Sequence, residues 1–206
     1  DNPDFRADML VTLHNSSDKL NTLLSRLSRY GSGQAANVRE IDLADVARQV
    51  VQRFKTVHEV VLTRADAVLV NADADALEQA LVHLVQNAVD ASGDNDPVFL
   101  SVTSDVLSGH IEVIDSGTGM NAEFVRSGLF KPFVSSKQDG FGIGAFEARE
   151  MIKAMDGRLM VESREGMGTR FCVQLPMAEA ARLIERRNNT QTGPVSSPNS
   201  DSQEVA

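Results

Sequence analysis

The sequence predicts a two-layer α/β fold: a mixed, mostly antiparallel sheet covered on one face by about three helices. Three observations lead there. Hydrophobic residues make up 42% and charged residues 24% of 206 residues, the composition of one sizeable core with appendages. Stretches with apolar residues at helical spacing alternate with short β-branched runs. Residues 115–144 then gather a carboxylate and two glycine clusters, as Asp115-Ser-Gly-Thr-Gly119-Met, Phe130-Lys-Pro-Phe133, Ser136-Lys137 and Gly140-Phe-Gly142-Ile-Gly144.

The elements follow in order. Residues 4–30 read as one helix in which Met9, Leu13, Ser16, Leu20, Leu23 and Leu27 alternate four and three apart, a coiled-coil-like seam broken once at Ser16. Such a stripe must be buried, either on its own domain or in a helical hairpin or dimer bundle. The spacing favours the second. Gly31-Ser-Gly33 ends this helix and opens a linker over 31–40. A helix over Leu43–Val57 follows, with Asp42 as N-cap and Leu43, Val46, Val50 and Phe54 on one face. Short strands are expected at Val60–Thr63 and Ala67–Val70, with a turn at Asp66.

The next helix spans Ala76–Ala91, with Asp75 and Glu78 as a capping box. Leu77, Leu81, Leu84 and Ala88 form its buried stripe, while His83, Asn87 and Asp90 share a different face. Polar trios usually face solvent, but Val82, Val85, Gln86 and Val89 leave little room for a solvated face, so the trio is read as facing a ligand. Val98–Thr103 and Ile111–Ile114, joined through Leu107-Ser108-Gly109, form a hairpin that delivers Asp115 at its end. A short helix is expected over Asn121–Gly128. Another opens at Gly140–Gly144 and carries Ala145, Ala148, Ile152 and Met155 on its apolar face. Leu159–Ser163 and Thr169–Leu175 flank Glu165–Gly168 as a last hairpin, and Pro176 closes the fold. Met177–Arg187 extends as a polar helix, and Asn188–Ala206 reads as a disordered tail.

Composition excludes some classes. A net charge of -9 and a pI near 4.9 argue against a broad nucleic-acid footprint, which needs a basic face. The single cysteine, Cys172, has no partner for an internal disulfide and reads as a small buried hydrophobe. No run approaches roughly 18 apolar residues, so no membrane segment is expected in this chain. No signal-peptide pattern follows Asp1. The abrupt helical opening suggests a piece of something longer. A carboxylate that accepts from a base amine, glycines that let backbone approach phosphates, and a mobile segment expected between them suit a nucleotide pocket.

The ordered boxes resemble the catalytic and ATP-binding domain of sensor histidine kinases, within the superfamily that also holds gyrase-type, mismatch-repair and heat-shock chaperone ATPases. The N box is Leu81-Val-His-Leu-Val-Gln-Asn87-Ala-Val-Asp90-Ala and the first glycine box Asp115-Ser-Gly-Thr-Gly119-Met. The F box is Phe130-Lys-Pro-Phe133, the second glycine box Gly140-Phe-Gly-Ile-Gly144, and Gly168-Thr-Arg-Phe171 matches the terminal glycine-threonine strand. A lone Gly-x-Gly-x-Gly is a weak signal, but five elements in order over residues 41–176 are strong. Gly142-Ile-Gly-Ala-Phe146, His83–Asn87, and Asn2-Pro-Asp-Phe5 with Asp8-Met-Leu10 are most similar to the histidine kinases of the PEP-CTERM/exosortase system.

The resemblance implies roles. Asp115 accepts from the adenine amino group, with Thr169 assisting; Gly117, Gly119 and Met120 flank the base and sugar. Asn87 supplies an oxygen to Mg2+, and Asp90 lies beside the nucleotide. Gly140, Gly142, Ile143 and Gly144 present backbone to the phosphates, Lys137 supplies a charge, and Phe130 and Phe133 anchor a lid over about 120–140. ATP-hydrolysing relatives carry a glutamate where this chain has His83. That favours phosphoryl transfer to a protein over hydrolysis and leaves His83 to contact the γ-phosphate or a metal-bound water, or to serve as a core histidine. His83, Asn87 and Lys137 are thus the catalytic set, and Asn87 and His83 the metal set.

None of His14, His58, His83 or His110 stands in a phosphoacceptor context, so the acceptor histidine is expected upstream of Asp1. Residues 1–30 are then the second helix of a dimerisation hairpin and 41–177 the catalytic domain. The implied partners are ATP, the acceptor helix within a homodimer, and a response-regulator receiver domain. The implied location is cytoplasmic, with an upstream anchor in the inner membrane allowed. Two rival functions remain, an ATP-driven conformational clamp and a degenerate kinase module that acts by binding.

Overall fold

The computed structural model describes residues 37–135 and 142–179. The expected helix over 4–30, the Gly31–Gly33 joint, Lys137, Gly140 and the tail lie outside the described residues. Within them the order is β1 (Arg39–Asp42), α1 (Leu43–Phe54), β2 (Val60–Ala65), β3 (Leu69–Ala72), α2 (Ala74–Ala91), β4 (Val98–Ser104), β5 (Ser108–Asp115), α3 (Ala122–Ser127), α4 (Gly144–Ala154), β6 (Arg158–Ser163) and β7 (Thr169–Pro176). A five-stranded sheet runs β2-β4-β5-β7-β6, and β1 pairs with β3 in a separate ribbon. Only β2–β4 is parallel in the large sheet; its other pairs are antiparallel. The two-layer α/β expectation therefore holds.

The core lies between helices and sheet because both faces are patterned for it. Leu77, Leu81, Leu84 and Ala88 are fully buried along α2, as their spacing predicts. On β5, Gly109, Ile111, Val113 and Asp115 alternate inward, and on β7 Thr169, Phe171, Val173 and Leu175 do the same. Gly109 is glycine for a packing reason: a Cβ there would stand 2.7 Å from both Leu43 Cδ1 and Val68 Cγ1. It lies within β5, paired with Ser104 and Leu175, rather than in the hairpin turn. The turn is held instead by Asp105, whose carboxylate accepts from the Leu107 and Ser108 N–H groups at 2.8 Å each. Those backbone bonds, with His110, hold its pKa below the usual carboxylate value.

Asp42 caps α1 as expected, accepting from Ala44 N–H at 2.9 Å, and also takes Val68 N–H at 3.1 Å. Replacing Asp42 with Ala is expected to cost about 1–2 kcal/mol in a denaturant titration, the upper range for a lost cap, since two buried donors lose their acceptor.

The structure differs from the sequence reading in several further places. The cap of α2 is Asp73, which accepts from Asp75 and Ala76 N–H, so Asp75 and Glu78 form no capping box. The chain leaves β3 at Ala72, which puts Asp73 in the extended conformation a cap requires and Asp75 already in the first turn. The strand at Ala67–Val70 lies later, at Leu69–Ala72. It pairs with Arg39–Asp42, a strand that begins inside the expected linker. The helix over Leu43–Val57 ends at Phe54. Pro176 does not close the fold, because Met177 bridges to Val70 and Ala178 is buried.

Candidate functional site

Asp115 reaches the site by strand alternation. The phase that buries Ile111 and Val113 carries Asp115 inward at the end of β5, leaving it 5% exposed. Asp115 Oδ1 accepts from Gly117 N–H at 2.9 Å and Thr169 N–H at 3.2 Å. The first bond closes the turn out of β5, and the second crosses to β7, where Asp115 and Thr169 are register partners. The carboxylate is thereby fixed in direction.

Ser163, a residue the sequence reading did not single out, joins the neighbouring parts. Its Oγ accepts from Met120 N–H at 2.9 Å, lies 3.1 Å from the Gly168 carbonyl and 2.9 Å from Thr169 Oγ1. Met120, Ser163 and Thr169 thus form one polar chain beside Asp115. The signal for it was weak, because a strand-end serine has no distinctive spacing.

The glycines of the first box serve close packing. A Cβ on Gly117 would stand 2.2 Å from the Ala91 carbonyl, and one on Gly119 would stand 2.0 Å from the Arg164 carbonyl. Gly119 also has φ +63°, in the left-handed region. Thr118 N–H donates to Ala91 O at 3.1 Å, so this loop is docked on the C-terminal end of α2. Gly142 is similar, with φ +64° and a would-be Cβ 2.4 Å from the Val134 carbonyl. The absent side chains of Gly117, Gly119 and Gly142 face protein backbone, so each glycine has a packing reason besides the backbone approach to a nucleotide that the resemblance implies.

α2 ties the two glycine segments together. One turn before its contact with Gly117 it carries Asn87, and one further turn back His83. An ideal Cβ on Gly144 would lie 3.6 Å from His83 Nδ1 and 3.9 Å from Asn87 Nδ2, ordinary contact distances. Asn87 and His83 thus stand at the start of α4, which begins differently from the others. Asp42, Asp73 and Asn121 cap α1, α2 and α3 with side chains, whereas Ile143 occupies the start of α4 without a side-chain bond. Such an end leaves backbone donors for an anion. Asp90 lies on the exposed edge of α2, accepting from Gln86 Nε2 at 2.6 Å.

Phe130 packs against the core, with the Arg149 guanidinium 4.8 Å above its ring. Phe133 stands 59% exposed with φ +67°, and its N–H donates to Gly142 O at 3.0 Å. It meets the second glycine box through its backbone, and the ring does not anchor in the core.

Glu147 was also not anticipated. It is 1% exposed, and its Oε2 lies 3.1 Å from His83 Nε2. Its position four residues before Met151, on the apolar face of α4, was the available signal. Cys172 is buried, as expected, and burial pushes its thiol pKa up.

Among the described residues no group of three or more His, Cys, Asp or Glu side chains is placed to hold a metal ion. No helix among them is long and apolar enough to cross a membrane.

A family model described as histidine kinase-, DNA gyrase B-, and HSP90-like ATPase matches residues 72–179. Sporulation kinase C of Bacillus subtilis (strain 168) is 28% identical over 179 residues, covering 84% of this chain and 42% of that protein. The chain therefore spans less than half the length of this curated relative. The catalytic domain of the histidine kinase ThkA matches with a TM-score of 0.61 at 26% identity, covering 68% of this chain and 96% of that one. ThkA has also been solved in complex with the response regulator protein TrrA, and that structure matches with a TM-score of 0.64 at 22% identity over 86% of this chain and 53% of that one. Full-length ShkA in complex with AMPPNP shares the fold at a TM-score of 0.65 and 24% identity, over 84% of this chain and 39% of that one. The family match takes in Asn87, both ends of the Asp115–Thr169 pairing and the whole of α4, so the chain belongs to the histidine kinase-, DNA gyrase B- and HSP90-like ATPase family.

Proposed function

We propose that this chain is the ATP-binding catalytic part of a two-component sensor histidine kinase. It transfers the γ-phosphate of ATP to a histidine on a dimerisation helix outside the chain, within a homodimer that passes the phosphate to a response-regulator receiver domain. The observation that carries this reading is Asp115, a buried carboxylate aimed by two backbone donors and linked through Thr169 and Ser163 to Met120. A carboxylate only accepts, so it selects the adenine amino group over the guanine carbonyl. The uncapped start of α4 suits the phosphates, with Gly140, Gly142, Ile143 and Gly144 presenting backbone and Lys137 a point charge.

The donor set fits Mg2+ held mainly by phosphates and water. That ion demands oxygen and is usually bound by one or two protein groups, and Asn87, whose side-chain amide lies beside Gly144, would supply one such oxygen. When bound, Mg2+ neutralises charge on the β- and γ-phosphates. Imidazole is a poor ligand for so hard an ion, so His83 serves through a metal-bound water or the γ-phosphate. The likeness to PEP-CTERM-system kinases and a cytoplasmic location for this domain belong to the same reading, which also allows an upstream membrane anchor.

Titration of the chain with ATP and Mg2+ in a calorimeter is expected to give one-site binding, lost in the Asn87→Ala variant. Incubation with γ-labelled ATP is expected to leave no acid-labile label on this chain by itself. A folded sample that binds no ATP would sink the proposal. Steady phosphate release dependent on His83 and Asn87 would instead favour an ATP-driven clamp.

A further inference from the structure

Glu147 is a charged side chain at a place where charge is expensive. It lies in the first turn of α4 among Ala145, Ala148, Met151 and Ile152, all buried. A buried carboxylate is costly unless it is paired or hydrogen-bonded. Facing it across the α2–α4 contact is Nε2 of His83, 3.1 Å away and itself buried. The pair meets at hydrogen-bond distance but not in hydrogen-bond geometry at this rotamer, so the contact is electrostatic. Nδ1 is on the other side of the ring system, next to Gly144. One nitrogen is thus committed to a protein carboxylate, while its twin faces the start of α4.

We propose that Glu147 is a positioning residue for His83: its carboxylate takes the Nε2–H, holds the neutral imidazole in that tautomer, and presents the Nδ1 lone pair beside Gly144. An imidazole otherwise exchanges its proton between the two nitrogens, and the Nδ1–H form would offer a donor where an acceptor is needed. A partner carboxylate removes the ambiguity, as it does for histidines that serve metals. The lone pair at Nδ1 then accepts a hydrogen bond from a metal-bound water at the phosphates. This role rests on the ATP-site reading above, but the tautomer does not depend on ATP.

Two-bond 1H–15N spectra of the 206-residue chain at neutral pH test it, with the His83 signals identified by their loss in a His83→Gln variant. The expected result in the unliganded protein is a proton on Nε2 and none on Nδ1. An Nδ1–H tautomer or an imidazolium overturns the proposal whatever the variants do. In Glu147→Leu, which replaces a buried charge by a side chain of similar size, the two tautomers are expected to mix, whereas Glu147→Gln keeps a carbonyl acceptor and retains more of the Nε2–H form. In the full kinase carrying Glu147→Leu, the phosphorylation rate is expected to fall roughly tenfold, the lower range for losing such an outer partner. The loss falls on kcat more than on KM for ATP, and Glu147→Gln partly restores it. An unchanged tautomer and unchanged kcat in Glu147→Leu overturn the proposal. Absence of ATP binding by the unsubstituted chain would instead remove the kinase reading and leave the tautomer result standing.

Discussion

Asp115→Asn is expected to weaken ATP binding by roughly 10- to 150-fold, the loss of one hydrogen bond to a charged group, with little change in stability. The asymmetry follows from the geometry. The amide oxygen of asparagine still accepts from Gly117 and Thr169 N–H, so the turn out of β5 and its tie to β7 persist. The second oxygen becomes an NH2 group, and a donor then confronts the adenine amino group. Calorimetric titration with ATP measures the first effect and thermal unfolding the second. Unchanged affinity in the folded variant would mean that Asp115 does not read the base. A loss of fold would mean that the carboxylate is chiefly structural.

Gly119→Ala is expected to destabilise the chain by about 2–5 kcal/mol, combining left-handed strain of about 1–2 kcal/mol with overpacking of about 1–3 kcal/mol. Its Cβ would stand 2.0 Å from the Arg164 carbonyl, so the loop between β6 and β7 has to move. Gly166 provides the control. It has φ +73°, but a Cβ there meets nothing within 4 Å, so Gly166→Ala is expected to cost only the strain, about 1–2 kcal/mol. Denaturant titrations of the two variants separate crowding from strain. Equal losses would show that the Arg164 carbonyl yields freely. ATP binding adds a second readout, since moving Arg164 disturbs Ser163 and through it Met120 and Thr169.

Much of the site was legible because its parts are local. Asp115 follows β-branched alternation that any strand in this register must continue, and the glycine boxes stand out by composition. Asn87 and His83 could be placed together because helical spacing puts residues four apart on one face. Glu147 was visible as a carboxylate on an apolar stripe, but no spacing rule links it to His83, which lies on a different helix. Ser163 was less visible still, since its importance lies in three neighbours brought to it by the pairing of β6 with β7. The glycines stand out by composition, but for what they face the sequence has no signal. Gly117 abuts Ala91 and Gly119 abuts Arg164 only once the loop has docked.

By itself the sequence determined the helices and most of the strands, the buried stripes of α1 and α2, the delivery of Asp115 at a strand end, and the order of the boxes that place the chain in its family. These depend on periodicity and on short-range chemistry, which local residues carry. Only the tertiary structure decided that β2 lies parallel to β4 while β3 leaves for β1, that Asp73 caps α2, and that Glu147 meets His83. Those outcomes depend on which surfaces become neighbours when the core closes. Competing partners of equal local propensity are separated there by burial, and a buried carboxylate meets its partner in a residue far away along the chain.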